Sequence, residues 1–150
     1  MSCIEDVRRL VLEEHRELRR IICEMDTLAI RALSGDVGAL EQARKTATEL
    51  CDALRNHIDR EDAMVVPLLR SRGLHGTSAA QQVTSHHAYQ RVAVAKLQFE
   101  LGQADPDEGR LVELLQLAEG LLADMAFEER HLLTDGPLEI EAIQRHLLAV

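Results

Sequence analysis

The chain has 150 residues, enough for one domain with a real core, and its 46% hydrophobic and 29% charged residues describe a folded globule rather than a disordered chain. A net charge of −9 with 2% aromatics excludes the basic, stacking-rich surfaces that bind nucleic acid, and argues equally against an anionic membrane surface. No apolar run is long enough to span a bilayer and no signal-peptide pattern opens the chain. Its three cysteines (Cys3, Cys23, Cys51) lack CxxC spacing, so a cytoplasmic protein without disulfides is expected.

Apolar residues at helical spacing run through residues 4–33, where Val7, Val11, His15, Leu18, Ile22, Met25 and Ala29 form one stripe. Ser34-Gly35-Asp36-Val37-Gly38 breaks it. A second helix is predicted over 38–72, with Pro67 kinking its last third. Residues 72–78 read as a loop with Ser78 as helix cap, and a third helix over 79–102 carries Val83, His86, Ala93, Leu97 and Leu101 inward. After the turn at 103–109, a fourth helix over 110–134 presents Leu111, Leu114, Ala118, Leu122, Met125, Glu129 and Leu132. Asp135-Gly136-Pro137 stops it, and Pro137 suits the first turn of a short fifth helix to about residue 148. Nothing reads as a strand. The expected fold is all-α: a single domain built as an antiparallel up-down four-helix bundle with a short C-terminal fifth helix.

Polar residues interrupt each apolar stripe near its middle. His57 and Glu61, four apart, project from the face that also carries Ala47, Leu50, Leu54, Met64 and Leu68. An imidazole and a carboxylate pointing together into a dry core are costly unless a cation compensates them. The first helix offers His15, the third His86 and the fourth Glu129. One inward histidine is more often a hydrogen-bonded core residue than a ligand. Four helices each presenting His or Glu in phase is the way bundles build metal sites. Two other registers exist. His87 could replace His86, and Glu128 with His131 forms a Glu-x-x-His pair of the ferritin-like type, whose partner motif would need a Glu where Leu54 stands. His75 and His146 read as solvated, and Cys23 and Cys51 as buried packing thiols. Ser85 beside His86 lacks a placed acid, and no glycine-rich phosphate loop occurs.

The order His15, then His57-xxx-Glu61, then His86, then an acidic residue on the fourth helix resembles the hemerythrin-like cation-binding domains, whose pattern is H, HxxxE, H, HxxxE. Local wording agrees: Glu14-His15-Arg16-Glu17-Leu18 and the stretch from His57 to Pro67. The resemblance covers about residues 8–135. It implies a non-haem, oxo- or hydroxo-bridged centre of two iron ions. By position, His15 and His57 correspond to ligands of one iron, Glu61 and Glu129 to the bridges, and His86 to a ligand of the other. The chain departs from the pattern on the fourth helix, where Met125 stands in the place of a histidine. A thioether is a poor ligand for ferric iron. Tyr89, one turn after His86 and the only tyrosine, is the candidate replacement.

Such a centre suits small oxidants: hydrogen peroxide, dioxygen or nitric oxide. A phenolate at Tyr89 and the loss of a neutral histidine would both favour a diferric resting state. The expected activity is therefore an oxidoreductase of catalase or peroxidase type, or one that detoxifies nitric oxide, with Tyr89 also available for proton transfer. A hemerythrin-type carrier or sensor of dioxygen, nitric oxide or iron is the alternative, and a metal-free interaction bundle the third class.

Overall fold

The computed structural model describes residues 4–103, 108–131 and 145. Four helices account for almost all of them: α1 (Ile4–Leu33), α2 (Val37–Arg70), α3 (Gly73–Leu101) and α4 (Glu108–His131). No strand occurs among the described residues. Of the fifth helix expected over about 137–148, all but residue 145 lies outside them. No described helix is long and apolar enough to cross a membrane.

The connections are short because particular residues reverse the chain quickly. Between α1 and α2, Gly35 takes φ +98°, and Ser34 and Asp36 return their N–H groups to the carbonyls of Ile30 and Arg31. Asp36 then caps α2, accepting from the Ala39 N–H at 3.1 Å, while Arg31 pairs with its other oxygen at 2.6 Å. Between α2 and α3 the expected seven-residue loop is replaced by Ser71 and Arg72 alone. Gly73 at φ +79° starts α3 at once. Gly76 lets this corner close: a Cβ there would lie 2.0 Å from the Leu69 carbonyl oxygen. Ser78 accordingly sits inside α3, not at its cap. α2 runs on through Pro67 and ends three residues later. At the far end of α3, Arg44 and Arg110 donate to the carbonyls of Leu101 and Glu100, both at 2.7 Å, and place positive charge at the helix C-terminus.

The core is divided in two. A large apolar cluster fills the end near the α1–α2 turn, with Leu18 to Ala29 of α1, Ala39 to Ile58 of α2, Val94 to Leu101 of α3 and Leu111 to Met125 of α4. A smaller cluster of Val7, Val11, Val65, Val66, Leu69, Ala80 and Val83 closes the other end. Burying a Leu, Ile or Val side chain contributes about 1.5–3 kcal/mol, so both ends are driven together. Between the two clusters lies a layer with no apolar explanation.

Candidate metal centre

Each helix passes at least one polar group through that layer. On α1, His15 falls between Val11 and Leu18; on α2, His57 and Glu61 fall between Leu54 and Val65. On α3, His87 falls between Val83 and Val94, and on α4, Glu128 follows Met125. His15, His57, Glu61 and His87 are all buried. Five ionisable groups held together in a core need compensation.

Donor atoms of His15, His57, Glu61 and Glu128 lie within 4.8 Å of one another. Twice a metal–oxygen or metal–nitrogen bond of about 2.1 Å is roughly 4.2 Å, so the four close around a single ion with small movements. Glu61 uses both oxygens. Oε1 stands 3.4 Å from His57 Nε2, and Oε2 stands 3.1 Å from His87 Nε2. The carboxylate thus lies between two imidazoles and can bridge two ions.

The donors also show a specific deficit. His15 Nε2 and Glu128 Oε2 are 3.2 Å apart, yet neither makes a hydrogen bond among the described residues. The distance is that of an ion pair; the alignment is missing. Two buried polar atoms that face each other without bonding fit a third partner between them, and a cation supplies it. On the side away from the cluster all three rings are satisfied. His15 Nδ1 faces Glu129 at 2.9 Å, His57 Nδ1 faces Glu14 at 3.1 Å, and His87 Nδ1 faces Asp62 at 2.7 Å.

The crowding is visible in the acidities. Burial pushes the Glu128 carboxyl up, Glu61 pushes the same way, and against the pull of His15 and His57 it rests at about 7. Burial opposes charge on His57, but the carboxylates of Glu61, Glu14 and Glu128 outweigh it and raise that imidazole to about 9. Burial likewise opposes charge on His87, and Glu61 and Asp62 raise it. Glu61 is held low despite its burial because His57, His87 and His15 surround it. Protons hold this cluster together where a cation would do so, and binding one expels them.

The structure brings His15, His57 and Glu61 together and places three other expected residues, His86, Glu129 and Tyr89, outside the layer. His87, not His86, enters the layer; His86 stays at the margin, its Nε2 3.9 Å from Asp124. Glu128, not Glu129, points inward; Glu129 instead pairs with Arg19 at 2.6 Å, which holds its carboxyl below the usual range. Tyr89 is 71% exposed and lies away from the layer, while Met125 is buried. Two positions separate Tyr89 from His87, about 200° around a helix, so one faces in and the other out. Cys23 is exposed, while Cys51 is buried as expected. A signal for His87 was present in the sequence: Arg91 follows it by four, as Arg19 follows His15.

The family model described as "Hemerythrin HHE cation binding domain" matches residues 6–135. No curated protein and no solved structure matches the chain. The family match takes in every residue of the polar layer, and the chain belongs to the hemerythrin HHE cation-binding family.

Proposed function

We propose that this cation-binding bundle holds two iron ions and consumes a small oxidant, hydrogen peroxide first, instead of carrying dioxygen. His15 and His57 would hold one iron and His87 the other, with Glu61 and Glu128 offering oxygens to both. When bound, the iron pair supplies the redox chemistry and the open coordination positions at which peroxide, dioxygen or nitric oxide can bind.

The observation that carries the reading is the lack of a histidine ahead of Glu128. Four residues before it, where the family pattern has histidine, stands Asp124, and the adjacent Met125 is buried in the apolar cluster. The donor set is then three imidazoles with two bridging-capable carboxylates, poorer in neutral nitrogen than the family pattern. Fewer neutral donors relative to anionic ones favour the ferric state, and a resting ferric centre is suited to peroxide and not to reversible dioxygen carriage. With Tyr89 at the surface, this argument stands on the missing nitrogen alone. The chain's own groups do the remaining work: the two apolar clusters on either side limit the access of water to the layer.

The test is metal analysis followed by peroxide. Iron-loaded protein is expected to hold two irons per chain and to convert two molecules of hydrogen peroxide into two of water and one of dioxygen, read with an oxygen electrode. Glu61→Ala should lose both iron and activity. A reduced protein that binds dioxygen reversibly and leaves peroxide untouched would instead be a carrier. Absence of bound iron after loading would reduce the protein to an interaction bundle.

A further inference from the structure

Three side-chain triads surround the metal layer on one plan. Glu129 accepts from His15 Nδ1 and, on the same oxygen, from Arg19 at 2.6 Å. Glu14 accepts from His57 Nδ1 on one oxygen and pairs with Arg60 at 2.7 Å on the other. Asp62 accepts from His87 Nδ1 on one oxygen and from Arg91 at 2.8 Å on the other. In each triad histidine and arginine share a helix, three or four residues apart, and the acid comes from a neighbouring helix: α4 for His15, α1 for His57, α2 for His87.

The triads are also graded from outside in. The arginine side chains keep 36–46% exposure, the acids 19–29% and the histidines 7% or less. An exposed ion pair alone contributes little. Here each acid has a guanidinium outside and a buried ring inside. A carboxylate can only accept, so a ring nitrogen that hydrogen-bonds to one carries the hydrogen. Nε2 is then the nitrogen whose lone pair a cation can take, displacing any proton there, and in all three rings it is Nε2 that faces Glu128 or Glu61.

We propose that Glu14, Asp62 and Glu129, anchored by Arg60, Arg91 and Arg19, are positioning residues that hold His15, His57 and His87 in the Nδ1–H tautomer and present Nε2 to the metal. This rests on the reading of the layer as a metal site. Each triad also spans two helices, so the aim of every ring is tied to the spacing of a helix pair. A hydrogen-bonded acid behind a ligating imidazole both orients the ring and raises its basicity.

Zinc, which is diamagnetic, serves as the probe on the full chain. Two-bond proton–nitrogen spectra of histidine-labelled protein should show zinc on Nε2 and a hydrogen on Nδ1 for the three layer histidines. Chelator competition should show zinc affinity falling about 10- to 100-fold in Asp62→Asn, Glu14→Gln and Glu129→Gln. Arg91→Lys should retain more affinity than Arg91→Met. Melting temperatures of the zinc-free variants identify any that fail to fold, and the Arg91 pair, at a partly exposed position, then carries the test. Simple helix staples would lower those melting temperatures and leave the affinity and the ligating nitrogen unchanged. Zinc on Nδ1, or amide variants within about twofold of the parent, overturns the positioning role while leaving the metal site standing. A parent chain that takes up neither zinc nor iron overturns both.

Discussion

Glu61 turns one carboxylate oxygen toward His87 Nε2 at 3.1 Å, and so ties α3 to α2 through the second of two adjacent histidines. The neighbour, His86, lies about 100° around the helix and meets Asp124 at the margin of the layer. His87→Ala should therefore lower iron content, and peroxide turnover with it, whereas His86→Ala should leave iron content near the parent's. Tyr89→Phe should change neither the iron content nor the visible spectrum, because the phenol is at the surface. Metal analysis with absorption spectra of the three variants checks all of this. Loss of iron from His86→Ala alone would restore the other register.

Metal should stabilise the fold without creating it. The two apolar clusters, one on each side of the polar layer, are built from apolar side chains and not from the donor residues. A ligand that binds only the folded state at a hundred times its dissociation constant adds about 2.7 kcal/mol. For a chain of this size that corresponds to a rise of several degrees in melting temperature. Chelation should lower the melting temperature by that amount and leave the helical circular dichroism intact. A chelated chain without helical signal would refute this.

Two glycines should respond in opposite directions to alanine. At Gly76 a Cβ would lie 2.0 Å from the Leu69 carbonyl oxygen, so the α2–α3 corner would have to open. Gly76→Ala should cost roughly 1–3 kcal/mol or more, as overpacking does. At Gly120, inside α4 and exposed, a Cβ meets nothing within 4 Å. Gly120→Ala should stabilise by up to about 1 kcal/mol through helix propensity. Denaturant titrations of the two variants would settle both signs.

Asp36 links acid stability to the α1–α2 turn. The Arg31 guanidinium, and then the Ala39 N–H, hold its carboxyl below the usual range. A folded pKa below the unfolded one, about 3.9, contributes stability that is present above that value and lost as pH falls through the folded one. Asp36→Ala should therefore melt lower at pH 7, with a deficit that shrinks as the pH drops below the unfolded value. A deficit constant down to strong acid would mean that the side chain acts some other way.

Thiol chemistry should separate the two described cysteines. Burial pushes the Cys51 thiol up to about 11, and it is shielded within the large cluster, while Cys23 is exposed. In a Cys3→Ser background, one equivalent of a thiol reagent should be consumed quickly at pH 8, at Cys23, and the second only on unfolding. Mass mapping of the modified peptide is decisive.

The four-helix architecture and the face of α1 were determined by the sequence alone. Val7, Val11, His15, Leu18, Ile22, Met25 and Ala29 recur at a strict helical spacing and are all buried. On α2 the same logic placed His57 and Glu61. It failed where the pattern is locally doubled: His86-His87, Leu121-Leu122 and Glu128-Glu129 each offer equivalent residues at adjacent positions. α3 adds to this by carrying large hydrophobic residues outward as well as inward, with Tyr89, Val92 and Phe99 all exposed. Periodicity cannot resolve a one-residue shift when both choices are the same type. Packing can, because only one of the pair fits against the facing helix: Leu121 is buried and Leu122 only partly, and two turns farther on Glu128 follows Leu121 inward. Tertiary structure alone also set the α2–α3 turn at two residues, and it joined each buried histidine to an acid on another helix, a relation between segments as much as 114 positions apart that no local pattern contains.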